Sequence, residues 1–146
     1  MAHLRQAIRD NIKTTITGLS ETAGRVYANR VYPVAAPRLP CLLIYTESER
    51  INVATQRQPR TQRRTLSVNI EIYVKGTTNY DSQLDSISAE IEAALASDIT
   101  CGGHAHDVLV TGFNAQYSGD GDQPVAVGVM TVEVTYMTAE GSPIVN

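Results

Sequence analysis

The chain has 146 residues, of which 42% are hydrophobic and 18% charged, and these are ordinary values for one soluble globular domain. A chain of this length can bury roughly 68–70% of the surface that its unfolded form exposes, so it can hold a core unaided. It contains no apolar run of about 18 residues, which argues against a membrane-spanning helix, and its N-terminal segment lacks the apolar block of a secretory signal. Two cysteines, Cys41 and Cys101, are too few for a disulfide framework and indicate a chain made in a reducing cytoplasm.

Charge is distributed unevenly along the chain, although the net charge is only −3. All twelve Lys and Arg residues lie between Arg5 and Lys75, and ten of the fifteen acidic residues follow Lys75, so the two parts carry +7 and −10. Drift in a small protein is one explanation. The other is a dipolar subunit whose positive surface meets the negative surface of a neighbour, and such head-to-tail contacts close into rings when the rotation permits.

The first predicted element is an amphipathic helix within residues 1–20. Its apolar stripe recurs at helical spacing and consists of Leu4, Ile8, Ile12, Ile16 and Leu19. Arg5, Arg9 and Lys13 follow one another at intervals of four residues and form a basic ridge along one side of this helix.

Two strands and a basic segment are predicted next. Residues 25–32 are rich in β-branched and aromatic side chains, and residues 41–45 (CLLIY) are typical of a central strand covered on both faces. Residues 33–40 between them contain three prolines and are predicted to form an extended link. Residues 50–64 hold five arginines and few apolar side chains, so they predict an exposed basic segment, either a mobile loop or a hairpin tip.

A strand and a second helix follow. Residues 65–74 alternate between polar and apolar side chains, which predicts a half-buried strand. Thr78 and Asp81 resemble a capping box at the start of a helix that runs to about Ser97. Its predicted buried stripe is Tyr80, Leu84, Ile87, Ile91 and Leu95, and the flank beside that stripe carries an acidic ridge of Asp81, Asp85 and Glu92.

The last third of the chain predicts a β-hairpin. Strands over 108–118 and 125–137 are joined by a turn at 119–122 that is rich in Gly and Asp. Gly112 and Gly128 are expected to mark bulges in these strands.

The element order predicts an α+β fold. We expect a two-layer sandwich, with a mainly antiparallel sheet of four to five strands and two helices packed on one face. A single domain spanning residues 1–146 is expected, with a flexible C-terminal tail at about 139–146.

A search for catalytic chemistry finds no nucleophile elbow, phosphate loop or dinucleotide fingerprint. Cys101, His104 and His106 offer zinc-ligating atoms, but their spacing matches no common structural site and an ordinary polar turn is the alternative. Asp120 and Asp122 resemble the start of a calcium loop that lacks its later ligands, which favours a turn. The sequence therefore predicts a non-enzymatic protein with no catalytic residues, no cofactor and no bound metal.

The arginines of residues 50–64 raise the question of nucleic-acid binding, since they could neutralise phosphates. The segment contains no aromatic side chain for base stacking, and the chain has a sequence pI near 5.5. Contact with an acidic protein surface, or proximity to DNA without sequence recognition, fits these features better.

The whole chain resembles the tail terminator (minor tail protein U-like) proteins of long-tailed bacteriophages. The resemblance is carried by the chain length, the order of the elements, the Arg25-Val26-Tyr27 entry after the first helix, and the Leu-Pro-Cys-Leu-Leu-Ile-Tyr strand at 39–45. It implies a structural virion subunit that assembles in the host cytoplasm and forms a six-membered ring on the head-proximal end of the tail tube. Such a ring stops tube polymerisation and presents the surface that joins the tail to the head.

The partners implied are further copies of the chain, the tail tube protein and a head-tail connector or neck protein, with DNA passing nearby in the lumen and no membrane. The residues expected at subunit or tube interfaces are Arg5, Arg9, Lys13, Arg57, Arg60, Arg63, Arg64, Asp81, Asp85 and Glu92. The basic and acidic ridges could pair between neighbours or within one subunit. Charge reversal at Arg60, Arg63 and Arg64 is expected to spare folding and impair docking.

The sequence is also compatible with two other functions. A connector adaptor or neck protein would share the architecture but form a twelve-fold ring. An unrelated small binding module or metal-dependent enzyme would be favoured by a metal bound to Cys101, His104 and His106.

Overall fold

A computed structural model of the chain describes residues 2–28, 39–76, 79–118 and 124–144. The described residues form two helices, α1 (Leu4–Thr15) and α2 (Tyr80–Ala96), and five strands, β1 (Val26–Ala28), β2 (Cys41–Val53), β3 (Thr61–Lys75), β4 (Asp107–Ser118) and β5 (Val125–Ala139). The strands make one sheet in the order β1-β2-β3-β5-β4, in which only the β1–β2 pair is parallel. This architecture confirms the predicted α+β sandwich.

The core lies between the helices and one face of the sheet. β3 and β5 alternate between buried and half-buried positions, as the period-2 pattern predicts, and every second residue from Leu66 to Val74 is fully buried. Ile8 and Ile12 of α1 join Leu84, Ile87 and Ile91 of α2 in the same cluster, so both helices pack on one face. Each large apolar side chain buried in this way contributes roughly 1.5–3 kcal/mol to folding.

The first helix is shorter than its apolar pattern suggests. α1 ends at Thr15, and the chain turns through Gly18, whose φ of 94° lies in the left-handed region that favours glycine. Ile16 follows the helix but is still fully buried, because the turn folds back onto the core. The predicted stripe therefore identifies core residues correctly while overestimating the helix length.

Residues 50–64, predicted as an exposed loop or hairpin tip, form the end of a β2–β3 hairpin, and the strands extend further into this segment than a loop would allow. β2 continues to Val53 and β3 begins at Thr61, so only residues 54–60 connect the strands. The cause is backbone pairing: β3 is paired on one side with β2 and on the other with β5, up to the pair Thr61–Ala139. Residues 47–64 thus form a paired strand extension, called here the arm, with an exposed tip.

The C-terminal segment also differs from its prediction as a flexible tail. The backbone N–H of Leu4 donates to the carbonyl of Pro143 at 2.8 Å, and Ile144 pairs in antiparallel fashion with His3. The first amides of a helix have no acceptor within the helix, so the returning chain supplies one. Pro143 and Ile144 therefore pack at the start of α1.

Predicted local features have mixed outcomes. The bulge expected near Gly112 is confirmed, since the β4–β5 register shifts between Val110 and Gly112. Gly128 lies instead in regular pairs with Ile72 and Ala115, and the reason for its small size is packing. The predictions for residues 29–38, for Thr78 and for the turn at 119–122 lie outside the described residues.

Among the described residues, no helix is long and apolar enough to cross a membrane.

Candidate subunit interface

A buried ionic cluster organises the root of the arm. The Glu49 carboxylate accepts hydrogen bonds from the Arg64 guanidinium at 2.7 Å, from Arg5 at 3.2 Å and from the Tyr136 hydroxyl. Arg64 Nε also donates to the Thr138 hydroxyl at 2.9 Å. The Glu49 and Arg64 side chains are only 5% and 8% exposed, so this pair is internal and holds β2, β3, β5 and α1 together.

This cluster changes the interpretation of Arg64, one of the predicted interface residues. Arg64 is satisfied inside the subunit and is not available to a partner, so charge reversal there would disrupt the core and could not spare folding as expected. Tyr136 belongs to the same cluster, and burial followed by the adjacent Glu49 carboxylate raises the pKa of its hydroxyl. The phenol therefore stays protonated and donates its hydrogen bond throughout the physiological range.

The basic ridge of α1 faces β2. Arg5 binds Glu49, and Arg9 donates to the hydroxyl of Thr46 at 3.1 Å. His3 caps the helix by accepting a hydrogen bond from the Arg5 backbone N–H at 2.9 Å, and burial, together with the Arg5 charge, lowers the imidazole pKa below its ordinary value. Lys13 lies in the last turn, where a positive charge complements the helix dipole.

The acidic ridge of α2 faces the opposite side of the molecule. Residues of an α-helix are separated by about 100° around its axis, which places Glu90 on one side of the buried stripe and Asp81, Asp85 and Glu92 on the other. Glu90 accepts hydrogen bonds from Ser20, so its flank faces the turn after α1. The acidic ridge consequently faces away from α1, on the side of the sheet that β4 occupies.

The two ridges do not pair within the subunit. Three ion pairs occur among the described residues, namely Arg5–Glu49, Arg60–Glu140 and Arg64–Glu49, and none of them joins α1 to α2. Asp81, Asp85 and Glu92 are all exposed. Of the two arrangements left open by the sequence, pairing within one subunit is thus absent from the described part of the chain.

The remaining predicted arginines line the arm. Arg57 is exposed in the tip, and Arg63 is exposed on β3 next to Asn52 of β2. Arg60 pairs with Glu140 at 2.9 Å, but both side chains are more than one third exposed, so this surface pair is weak. Two of the four predicted arm arginines, Arg57 and Arg63, therefore offer positive charge without an ion-pair partner among the described residues.

The outer strands of the sheet expose apolar side chains. Six large apolar residues are exposed in the described chain, and five of them belong to β2 and β4: Ile51, Val53, Leu109, Phe113 and Tyr117. β4 is the last strand of the sheet, and its outer side is called here the β4 edge. In the part of the chain that the structure describes, β1 pairs with β2 at residues 42–44 alone, and the outer side of residues 45–53 is called the β2 edge.

The cysteine and histidine segment does not assemble a metal site within the described residues, where no group of three or more potential ligands comes together. Cys101 is buried, and burial together with the nearby Asp98 raises the pKa of its thiol to about 12. Zinc binds cysteine as the thiolate, which this environment disfavours. Cys101 and Cys41 are both buried and form no disulfide with each other.

Sequence reasoning missed the partners that bury Arg64. A signal was present, because Arg64 has the same parity as Leu66, Val68 and Ile70 and therefore lies on the inward face of β3. Its partner Glu49 could not be identified in the same way, since a register shift between Thr46 and Ser48 reverses the parity of β2 before Glu49.

Comparison with known proteins identifies no relative by sequence: the chain matches no protein family and no curated protein. Among solved structures, a chain from the virion of a native gene transfer agent particle aligns over 91% of this chain and 95% of its own length. Its TM-score is 0.37 and its sequence identity is 12%. Values this low establish neither a shared fold nor a shared function.

Proposed function

We propose that this chain is a structural virion subunit that acts as one domain and forms a ring on the head-proximal end of a bacteriophage tail tube. The ring would stop tube polymerisation and provide the joining surface for a head-tail connector or neck protein. In this role the protein works by binding alone, without catalysis or a cofactor. The proposal draws on the resemblance of the whole chain to tail terminator proteins.

The observation that best supports a ring is the separation of positive and negative charge across the molecule. The basic ridge faces β2 and the arm adds Arg57 and Arg63, whereas the acidic ridge faces β4 at the far side of the sheet. A subunit with opposite charges on opposite sides attracts its own copies head to tail, and a closed rotation converts such contacts into a ring. Exposed ion pairs each contribute about 0.2–1 kcal/mol, so they select register and orientation while apolar burial supplies affinity.

The test combines stoichiometry with activity. Native mass spectra of the purified chain over a range of concentrations should contain a six-subunit species. The same preparation, added to the polymerising tail tube protein of the same phage, should shorten the tubes and appear as extra density at one end in electron micrographs.

Each other outcome has a defined meaning. A twelve-subunit ring would assign the chain to the connector adaptors. A chain that neither shortens tubes nor binds their ends would refute the terminator function. A monomer that carries one zinc ion would favour the unrelated binding module or metal-dependent enzyme, with Cys101, His104 and His106 as the candidate ligands.

A further inference from the structure

The two open edges of the sheet are complementary in strand direction and in the face on which most of their exposed apolar side chains lie, as well as in charge. Neither the β4 edge nor the β2 edge has a strand partner among the described residues. Unpaired strand edges with exposed apolar side chains readily accept another strand, and proteins that must stay monomeric normally block them with lysine, proline or a short edge strand. β4 has twelve residues and carries no lysine or proline.

We infer that the β4 edge of one copy pairs with the β2 edge of the next copy, so that the sheets of neighbouring subunits join into one continuous sheet. This inference rests on the proposed ring, for which it names the contact. The occupant of each edge is therefore a second copy of this chain.

Strand direction supports this pairing. The pairs β2–β3, β3–β5 and β5–β4 are all antiparallel, so β4 runs opposite to β2. When a neighbouring copy keeps its helices on the same side of the sheet, its β2 runs antiparallel to the adjoining β4. The new pair then has the same geometry as the other long pairs, and antiparallel pairing is slightly more stable per residue than parallel pairing.

Four of the five exposed apolar side chains of the two edges lie on the helix-covered face, whereas Leu109, which is paired with Glu133, lies on the other. Phe113 of β4 is paired with Met130, which is buried under the helices. Ile51 of β2 is paired with Arg64 of β3, which is paired in turn with the buried Tyr136 of β5. Phe113 is 44% exposed and Ile51 is 46% exposed in the single subunit. In the joined sheet both would lie on the helix-covered face, where cross-strand apolar contacts stabilise a sheet.

An offset along the strands is compatible with ring closure. In the strand register, Phe113 lies opposite Met130 of β5, whereas Ile51 lies in the same row as Arg64 of β3 and Tyr136 of β5. The two apolar side chains are therefore offset from each other by about six residues along the strand direction. Closed sheets accommodate such a stagger by tilting their strands, typically by about 35–45° from the central axis.

Charge disfavours the symmetric alternatives. Pairing of β4 with β4 of a second copy would bring two acidic ridges together, and pairing of β2 with β2 would bring the two basic ridges and their arms together. Like charges facing each other oppose association. Pairing of β4 with β2 places the acidic ridge of one copy beside the basic ridge of the next.

The experiment uses two full-length variants that each block one edge with lysines. Leu109→Lys with Ala115→Lys blocks the β4 edge, and Ile51→Lys with Val53→Lys blocks the β2 edge; all four side chains are exposed in the subunit. Ser86→Lys with Ala89→Lys, on the exposed outer face of α2, is the matched control. Native mass spectrometry and sedimentation velocity are recorded for each variant alone and for the two edge variants mixed in equal amounts.

The inference predicts that each edge variant alone is monomeric, that the control assembles like the wild type, and that the mixture forms a heterodimer through its one intact pair of edges. Wild-type assembly by either edge variant alone would overturn the inference and leave the ring proposal standing. A ring that forms through these edges but fails to cap tubes would refute the terminator function and leave the inference standing.

Assembly of the wild-type chain is not required for a decisive result. Two copies joined by a flexible linker experience an effective concentration in the millimolar range. Hydrogen exchange of this tandem chain, compared with the single chain, should show slower exchange of amides in residues 107–118. Unchanged exchange there would overturn the inference.

Discussion

At the residue scale, Glu49 accounts for the buried arginine of the arm, because it binds Arg64 inside the subunit. Its carboxylate binds Arg64 and Arg5 and accepts from Tyr136, so it neutralises a guanidinium that the strand pattern places on the inward face of β3. A buried charge is tolerated only when it is paired and hydrogen-bonded. Arg64 is therefore anchored inside the subunit, whereas Arg57 and Arg63 of the arm are exposed.

Replacing Glu49 with Gln should lower the free energy of unfolding by about 3–5 kcal/mol, because it leaves a buried guanidinium without its counter-charge. Urea denaturation at neutral pH measures this change. Glu140→Gln provides the control, since its pair with Arg60 is exposed and should contribute about 0.2–1 kcal/mol. Equal losses in the two variants would contradict the assignment of Glu49 as the anchor.

At the scale of elements, the side chains of Phe113 on β4 and Leu84 on α2 crowd the space above position 128 of β5. A Cβ placed on Gly128 would lie 2.9 Å from the Phe113 ring and 3.3 Å from a methyl group of Leu84. The glycine thus allows Phe113 of β4 and Leu84 of α2 to pack together over β5. It does so within a regular strand pairing and without a bulge, which is why its prediction as a bulge failed.

Gly128→Ala should destabilise the protein by about 1–3 kcal/mol, as expected for overpacking. Gly112→Ala is the matched control, because a Cβ there would meet nothing closer than 3.9 Å, and its effect should stay within about 0.5 kcal/mol. Thermal unfolding of both variants measures the difference. A Phe113→Leu substitution should recover part of the loss in Gly128→Ala, and independent, additive effects would count against this contact.

At the scale of the whole molecule, the two halves of the sequence carry opposite charge and lie toward opposite edges of one sheet. The basic half contributes α1, β2 and the arm, and the acidic half contributes α2 and β4. Because the strand order ends with β4 at one side and has β1 and β2 at the other, uneven charge along the chain becomes uneven charge across the molecule.

Arg57→Glu combined with Arg63→Glu should leave the free energy of unfolding within about 0.5 kcal/mol of the wild type per substitution, since both side chains are exposed. Docking to tail tubes should be impaired, because the arm then repels an acidic surface. Co-sedimentation with purified tubes measures docking. Ser86→Glu with Ala89→Glu, which adds negative charge on the outer face of α2, should dock normally; normal docking by the arginine variant would refute a role for the arm.

The sequence by itself determined the α+β class, both helices, the inward faces of β3 and α2, and the uneven charge. These features follow from local periodicity, since burial on one face imposes a repeat of about 3.6 residues on a helix and of two on a strand. Only the tertiary structure decided the partners of Arg64, the length of the arm, the docking of Pro143 and Ile144 and the two open edges. Each of these depends on partners distant in the chain, such as Glu49 for Arg64 and His3 for Ile144, and no local pattern specifies which distant residues meet.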